Sequence, residues 1–471
     1  MTDIITCISE FREDKRSLCQ LNNDLEEAVK QTLQNNSFRI QIGSNNLFWE
    51  QFVQVYPTLA QDPDEIYVIN LTKFCRNVVA GEIQNQQLAI QYGCLELIEN
   101  TMLQKMASPS DNTLILQVST QAVCNMITNN SAALNETWTA WLTHSERGSL
   151  WSYILSRSNE SLIMSALVLV INCIRGSKER CDLLVSSKIG QDMIAAILGD
   201  IERLHENQES RNFELGYTIF SELISFHHFK TLFIHVDDYS HKNPISDHQI
   251  ILLKFLDSKI HAVQKKEIFP EFIETGELEF LTQQLASIGK QAVQVILTVK
   301  EGHAVQQVED HIQNIYTGII LVLQMVNDLF LLDPPRLKSL LVHINASSLM
   351  IESVKLPTAE SERPELGFHF LKRECIRLLG TLCYRDKVIQ DKIRELGGIP
   401  LILCQLKIDD SNPYIREYAT LTLRNVLENN PENQLIIQEL EAQEVVQTNE
   451  LNQMGIRPEL TEDGKVRIKK L

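Results

Sequence analysis

The sequence predicts an all-α fold, built as a solenoid of stacked helical repeats. Three observations predict it: residues that break helices are scarce, one helical pattern recurs at nearly constant spacing, and capping residues mark helix ends. The chain has 471 residues with 18 glycines and 13 prolines, so glycine stands at about half its typical ~7%. With 44% hydrophobic residues the chain can bury a core, and we expect helices joined by short connections.

A short template recurs in five segments of the chain. In each segment a polar marker residue follows apolar residues about one turn back and precedes two further apolar residues. The markers are Asn77, Asn125, Asn172, Thr381 and Asn425. The spacings are 48, 47 and 44 residues between Asn77 and Asn125, Asn125 and Asn172, and Thr381 and Asn425. These values lie in or beside the ~40–47-residue period of HEAT and armadillo repeats.

Positions downstream of the markers recur as well. Nine residues after a marker comes glutamine, at Gln86, Gln390 and Gln434. Sixteen residues after it comes glycine, at Gly93 and Gly397. Glycine adopts positive φ easily and so ends a helix, while a proline such as Pro400 suits the first turn of the next one. This order resembles an armadillo repeat, and the predicted fold is an armadillo/HEAT-like α-solenoid superhelix.

The C-terminal part of the sequence resembles a narrower family. The resemblance is carried by Leu378–Tyr384, Gln390–Lys392, Gly398–Leu403, Asp409–Pro413, Gly455–Ile456 and Val466–Lys469. These segments are similar to the C-terminal domain of the ataxin-10 family, over roughly residues 369–471. The resemblance implies roles in cytokinesis and, in animals, in cell survival and process outgrowth, and it implies self-association as a homo-oligomer. Fungal members carry copper-transport names, yet the methionines and cysteines here form no clusters suited to a soft metal.

We expect six regions along the chain. They are an atypical N-terminal helical cap (1–70), armadillo-like repeats (71–200), irregular helical repeats (201–354) with a polar loop at 237–247, an exposed loop (355–368), a C-terminal armadillo-like ataxin-10 domain (369–450) and a polar, basic tail (451–471). The register of the helices between 200 and 355 stays open. Within it, Gln313–Leu332 is predicted to be helical and to end at Asp333-Pro334-Pro335, because proline disfavours helix before it.

Charge excludes several classes of partner. The chain has 61 acidic and 43 basic residues, a net charge of −18, which argues against nucleic acid and against anionic membranes as partners. The N-terminus lacks the pattern of a signal peptide, and the apolar stretch Ile319–Leu332 is expected to be too short and too polar to span a bilayer. Ten cysteines without CxxC spacing suggest a reducing compartment, which we predict to be the cytoplasm, with the nucleus as a second location.

The sequence contains no motif of a nucleophile elbow, a dinucleotide-binding loop, a P-loop or a zinc protease. The histidines at 227, 228, 235, 241 and 248 could be imagined as a metal cluster, but no cysteine lies between Cys181 and Cys375 to support one. We therefore expect a histidine-containing helix followed by a polar loop. Cys75 and Cys383 fit apolar helix faces better than a catalytic role. No enzyme, cofactor or metal site is predicted.

The markers and the cations near them form a candidate partner-binding groove. In armadillo arrays the marker lies on the third helix of each repeat, on the concave side, where an amide can bind the backbone of an extended peptide. Alternatively, each amide bonds the adjacent turn between repeats or tolerates exposure. The candidate residues are Lys73, Arg76, Asn77, Asn125, Asn172, Arg377, Thr381, Arg424 and Asn425. Their cations could accept an acidic or phosphorylated segment.

One departure argues against a nuclear-import receptor. Those receptors carry a tryptophan four residues before the marker asparagine, and here the positions are Lys73, Gln121, Val168, Arg377 and Leu421. The leading hypothesis is therefore a non-enzymatic scaffold or adaptor that binds other proteins. The alternatives are a cargo-binding transport or chaperone-like receptor and, third, a metal-dependent enzyme with a His/Asp site near residues 227–248.

Overall fold

A computed structural model describes residues 4–108, 111–204, 210–236, 245–264, 267–300, 309–355, 370–410, 412–439, 445, 447, 449–461 and 466–470. The described residues form 26 helices and two short strands. The prediction of an all-α repeat fold is confirmed. The chain packs as two compact units, and each unit is described by itself.

Unit 1 comprises Met1–Ala262 and Pro270–Glu277. It contains α1 (Ile4–Arg12), α2 (Leu18–Gln34), α3 (Asn36–Gly43), α4 (Asn46–Ala60), α5 (Ile66–Val78), α6 (Ile83–Gln91), α7 (Cys94–Ala107), α8 (Thr113–Ile127), α9 (Ser131–Thr143), α10 (Ser145–Leu155), α11 (Glu160–Ile174), α12 (Lys178–Ser186), α13 (Lys188–Arg203), α14 (Arg211–Ser225), α15 (Phe229–His235) and nearly all of α16 (Asp247–Gln264).

Every third helix of unit 1 packs against its counterpart in the next repeat. The helices α2, α5, α8, α11 and α14 lie side by side in this order, and α4, α7, α10 and α13 form a second row. We call the first row the third-helix layer of unit 1. A complete repeat, α3–α5, therefore occupies Asn36–Val78 and overlaps the region 1–70 that the sequence predicts to be an N-terminal cap. The regular packing also continues through α14, beyond the predicted limit at residue 200.

Short polar side chains begin these helices. The side chains of Asn35, Asn130, Asn159, Ser177 and Ser187 each accept a hydrogen bond from the first turn of the helix that follows. Such caps satisfy backbone N–H groups that a helix leaves open at its start. They explain how repeats with so few prolines still begin their helices at fixed points.

The four tryptophans of the chain all lie in the core of unit 1. Trp141 packs between Trp138 and Trp151, with ring centroids 6.3 Å and 4.5 Å away, and all three are buried. Trp141 Nε1 donates a hydrogen bond to the buried carboxylate of Glu99. Burial raises the pKa of Glu99 above its ordinary value, because the low-polarity surroundings disfavour the charged form.

Unit 2 comprises Val263–Phe269 and Leu278–Leu471. It contains most of α17 (Thr275–Lys300), then α18 (Glu309–Leu332), α19 (Pro334–His343), α20 (Ala346–Val354), α21 (Leu371–Leu382), α22 (Lys387–Glu395), α23 (Gly398–Cys404), α24 (Ile415–Leu427), α25 (Pro431–Glu439), α26 (Asn449–Gln453), β1 (Ile456–Leu460) and β2 (Val466–Lys470). The helices α18, α21 and α24 pack in order as the third-helix layer of unit 2.

Helix α18 ends at Leu332, as predicted, and the Asp333 side chain caps α19 with prolines in its first turn. Its apolar part, Ile312–Leu332, spans 21 residues and is long enough to cross a membrane by length and composition, so the sequence underestimated its length. However, 56% of its most apolar window is buried inside the protein. The helix packs against α19 and α21, which is how the core helix of a repeat stack behaves.

The predicted glycine junctions are present. Gly93 and Gly397 precede α7 and α23 with φ values of +82° and +71°, the left-handed region that favours glycine. The two predicted loops fall mostly on residues 237–244 and 356–369, which lie outside the described residues. The sequence placed a boundary at 355–368, whereas the two units meet in sequence between residues 262 and 278.

The region predicted as a polar, basic tail contains a hairpin that was not predicted. Strands β1 and β2 pair antiparallel, so that Ile456 faces Lys470 and Leu460 faces Val466. Gly455, with φ +65°, precedes it. The alternation of Val466 and Ile468 with basic residues is a strand pattern, but it covers only five residues and the sequence analysis overlooked it.

A glycine at the contact of α21 and α24 offers a test of this packing. A Cβ at Gly380 would lie 2.4 Å from Thr422 Oγ1 and 3.4 Å from Thr422 Cα. We expect Gly380→Ala to lower the free energy of unfolding of unit 2 by about 1–3 kcal/mol, because the helices must move apart. Denaturant titration followed by far-UV circular dichroism measures this change.

Gly199→Ala is the matched control. Gly199 lies inside α13 with nothing within 4 Å of an added Cβ, so alanine should stabilise the helix by about 0.5–1 kcal/mol. Equal effects of the two substitutions would contradict the close approach of α21 and α24.

Candidate partner-binding face

All five markers lie near the C-terminal end of a third helix, as the repeat template predicts. They belong to α5, α8, α11, α21 and α24. Asn77 and Asn425 are buried, with 6% and 7% of their surface exposed. Asn125, Asn172 and Thr381 are half-buried. The template therefore located the helix and the turn correctly, while the side chains are less accessible than a peptide-binding row requires.

Each marker asparagine uses its amide N–H to hold the preceding third helix. The acceptors are Thr32 Oγ1 for Asn77 (2.9 Å), the Arg76 carbonyl for Asn125 (3.0 Å), Thr128 Oγ1 for Asn172 (3.3 Å) and the Gly380 carbonyl for Asn425 (2.9 Å). Thr381 instead donates to the carbonyl of Arg377 in its own helix, at 3.1 Å. The asparagines therefore bond between repeats, mainly to the preceding third helix rather than to the adjacent turn that the alternative named.

The glutamines nine residues after the markers also connect neighbouring repeats. Gln86 Nε2 donates to the carbonyls of Asn125 and Thr128, at 2.8 and 3.0 Å. Gln390 Nε2 donates to those of Asn425 and Glu428, at 2.8 and 3.3 Å. Each glutamine thus binds the backbone carbonyl of the marker in the following repeat. The side-chain amide of that marker binds the third helix before it. We call this pair of interactions the amide staple.

A second amide, which the sequence analysis missed, sits beside each staple. Asn85 Nδ2 donates to the Val78 carbonyl at 2.8 Å, and Asn433 Nδ2 donates to the Val426 carbonyl at 2.9 Å. Both residues are buried. A signal was present, because Asn85-Gln86 and Asn433-Gln434 repeat the same dipeptide at the same place in the first helix.

A row of polar side chains crosses the third-helix layer of unit 1. Arg76 Nε and Nη2 donate to Asn77 Oδ1, both at 3.1 Å, and Nη1 donates to Gln121 Oε1 at 2.5 Å. Gln121 Nε2 in turn donates to Ser165 Oγ at 3.1 Å. This polar row, Arg76, Asn77, Gln121 and Ser165, connects α5, α8 and α11. Burial lowers the pKa of Arg76, and its partners here are neutral amides, with no ion pair to a carboxylate among the described residues.

The arginine of unit 2 has a different environment. Arg377 contacts Asp328 at 2.8 Å and Glu374 at 3.4 Å, and Glu374 also pairs with Arg373 at 2.5 Å. Burial lowers the pKa of Arg377, but these carboxylates raise it by more, so the net shift is upward. The positive charge of Arg377 is therefore compensated inside the protein, which makes it a weaker anion-binding candidate than Arg76.

Lys73 and Arg424 complete the set of candidate cations. Lys73 Nζ lies 3.5 Å from Asn70 Oδ1 and is half-buried. Arg424 is exposed on α24, and no described carboxylate pairs with it. The accessible positive charge of the predicted groove is thus carried by Lys73 and Arg76 in unit 1 and by Arg424 in unit 2.

The histidines of the predicted 227–248 segment face carboxylates from other helices. His228 Nε2 lies 2.9 Å from Asp182, His248 Nε2 lies 3.2 Å from Glu202, and His227 Nε2 lies 3.4 Å from Glu274. Burial lowers the pKa of His228. His241 lies outside the described residues. The expectation of a plain histidine-containing helix omitted these carboxylates, which come from distant parts of the sequence.

The cysteines show no activated nucleophile among the described residues. Cys75 and Cys383 are buried, as predicted. Burial raises the pKa of both thiols, that of Cys383 to about 12, because a thiolate is costly away from water. A cysteine nucleophile needs the opposite shift and partial exposure.

Comparison with known proteins supports a family assignment for part of the chain. Residues 371–469 match the family model described as the spinocerebellar ataxia type 10 protein domain. This segment is therefore similar to the ataxin-10 domain. It contains α21 to α26 and the C-terminal hairpin, so the resemblance predicted over residues 369–471 is confirmed.

The curated relatives match over the same region. A Dictyostelium discoideum ataxin-10 homolog is 42% identical over 108 residues, 23% of this chain and 17% of that protein. Xenopus tropicalis ataxin-10 is 42% identical over 98 residues, 21% of this chain and 20% of that protein. A Candida albicans homolog is 37% identical over 130 residues, 27% of this chain and 26% of that protein. The matches therefore span about a quarter or less of the relatives' lengths.

The chain also aligns with solved structures. An engineered protein aligns with 90% of this chain and 99% of its own, at 12% identity and a TM-score of 0.41. A structure from work on cadherin and β-catenin aligns with 90% of this chain and 75% of its own, at 14% identity and a TM-score of 0.39. A designed armadillo repeat protein in complex with the peptide (KR)4 covers 80% of this chain and 98% of its own, at 10% identity and a TM-score of 0.29.

The amide staple of residues 371–469 can be tested against an internal control. Gln390 is buried and bonds two repeat segments. Gln434, at the same repeat position, is exposed, and among the described residues it bonds only the Leu427 carbonyl, at 2.8 Å. We expect Gln390→Ala to cost about 1–3 kcal/mol, since buried carbonyls lose their donor. Gln434→Ala should cost well under about 1 kcal/mol. Denaturant midpoints of the two variants measure the difference, and equal midpoints would contradict the staple.

Thiol titration tests the burial of the cysteines. Of the ten cysteines, only Cys19 and Cys404 are exposed. We expect Ellman's reagent at pH 8 to label two thiols rapidly in the folded protein and all ten in denaturant, because buried thiols with raised pKa values react slowly. Rapid labelling of Cys75 or Cys383, identified by mass spectrometry, would contradict their burial and would support a reactive-cysteine function.

Proposed function

We propose that this protein is a non-enzymatic scaffold that binds other proteins through its third-helix layers. The observation that carries the proposal is the polar row of unit 1, in which neighbouring repeats align hydrogen-bonding side chains across α5, α8 and α11. Stacked repeats present long continuous faces of this kind, and such faces commonly serve as binding surfaces. The similarity of residues 371–469 to the ataxin-10 domain also supports a scaffold function.

We propose further that the bound segments are acidic or phosphorylated. Arg76 is held in place by neutral amides, so its charge is available to an incoming carboxylate or phosphate. A guanidinium can bind either group through two parallel hydrogen bonds. Arg424 and Lys73 supply further positive charge, while Arg377 is already paired. The rest of the chain is strongly acidic, so these cations are local positive sites. An anionic segment would therefore be attracted to them and not to the protein surface in general.

The cellular role that we propose follows from the resemblance to the ataxin-10 family. It is the regulation of cytokinesis by a scaffold that works in the cytoplasm, with the nucleus as a second location. Self-association is part of the same proposal. The role in cytokinesis and the self-association rest on the family resemblance of residues 369–471, and the compartment rests on the cysteines of the sequence, which lack CxxC spacing.

A charge-removal variant tests the binding face. We expect Arg76→Gln combined with Arg424→Gln to reduce capture of partners by at least roughly tenfold, the loss typical of a few charge-assisted hydrogen bonds. Stability should change little, because glutamine can still bond Gln121. The measurement is affinity purification from cell extract with cross-linking mass spectrometry, in parallel with phosphatase-treated extract.

The control is Arg12→Gln combined with Arg157→Gln, which removes the same charge from exposed positions in other places. It should capture partners as the wild type does. If both double variants lost partner capture equally, the loss would be explained by the change in net charge and not by the binding face. Unchanged capture in the first variant would contradict the proposed face.

A further inference from the structure

Unit 1 brings together one histidine and two glutamates that are distant in sequence. His227 follows α14, and Glu274 and Glu277 lie at the start of α17. Their ligand atoms all lie within 4.8 Å of one another. All three residues belong to unit 1, and an imidazole with two carboxylates is a donor set that transition metals bind.

The charges at this cluster are not balanced by the protein. Glu277 is only 8% exposed, and neither glutamate pairs with a lysine or arginine among the described residues. A buried carboxylate without a counter-charge is costly. A divalent cation would compensate both carboxylates at once, whereas His227 even when protonated compensates only one.

The two ring nitrogens of His227 have different surroundings. Its Nδ1 is buried and has no hydrogen-bond partner in the described structure, while its Nε2 lies 3.4 Å from Glu274 Oε1. The nitrogen that would bind the ion is Nε2, because it is the one that lies beside Glu274. Two ligands of a tetrahedral zinc ion, each ~2.0–2.1 Å from it, are separated by roughly 3.4 Å.

The other histidine pairs of this region differ from the cluster. His228 and His248 each face one carboxylate, Asp182 and Glu202 respectively. Neither pair belongs to a group of three metal-ligating side chains within the described residues. His227 thus belongs to a group of three potential ligands, whereas His228 and His248 each belong to a simple pair.

We propose that His227, Glu274 and Glu277 bind one zinc-class divalent ion, which ties the turn after α14 to the first turn of α17. Three protein ligands leave a coordination position for water. The proposal departs from the sequence prediction of no metal site, and it uses neither His241 nor the His/Asp pattern considered there. It is independent of the proposed scaffold function, because the cluster shares no residue with the partner-binding face.

The test uses isothermal titration of the full chain with Zn²⁺, after purification in a chelator. His227→Asn is a suitable variant because His227 has φ +64°, and asparagine tolerates that conformation. Glu277→Gln removes the charge but can still accept the hydrogen bond that Glu277 Oε2 receives from the Glu274 N–H, at 3.2 Å. Both variants should therefore fold.

We expect the wild type to bind one equivalent of Zn²⁺ saturably and to melt at a higher temperature with Zn²⁺ but not with Mg²⁺. Each variant should lose roughly tenfold or more of the affinity, since even indirect support of a metal ligand is worth that much. His248→Asn is the control and should bind as the wild type does. Absence of saturable binding, or equal binding by His227→Asn and the wild type, would overturn the proposal.

Discussion

The fold depends on satisfying polar groups at the ends of the third helices, where one repeat meets the next. The last carbonyls of a helix have no partner within it, and in a stack of repeats many of them are buried. The amide staple supplies their donors: Asn125 bonds the carbonyl of Arg76, and Gln86 bonds the carbonyl of Asn125 itself. Because both amides sit at fixed places in the repeat, the spacing of the repeat and the satisfaction of these groups are linked.

This constraint changes how the predicted binding residues are understood. The amide donors of Asn77 and Asn425 are used within the protein and are buried, so they shape the face rather than contact a partner through those donors. The cations next to them differ between the units. Arg76 is oriented by neutral amides, while Arg377 is neutralised by Asp328 and Glu374. Equivalent-looking arginines thus have different capacities to bind an anion.

Much of the architecture could be predicted from the sequence because it is local. The markers, the glutamines and Gly93 and Gly397 recur at fixed spacing, and each is found at its expected place. The roles of these residues could not be predicted, since they depend on contacts with residues 35 to 49 positions away, as between Gln390 and Asn425 or between Asn125 and Arg76. The His227 cluster, which joins residues 47 apart, leaves no periodic signal and was therefore missed. The alternating pattern of the C-terminal hairpin was missed because its strands have only five residues each.

Hydrogen–deuterium exchange measured by mass spectrometry tests the central role of the staple most directly. The C-terminal turn of α24, whose Asn425 and Glu428 carbonyls Gln390 holds, should exchange as slowly as the middle of that helix. The end of α25, for which the described residues contain no following third helix, should exchange fast. Equally fast exchange at the ends of α24 and α25 would show that helix packing alone, without the amides, joins the repeats.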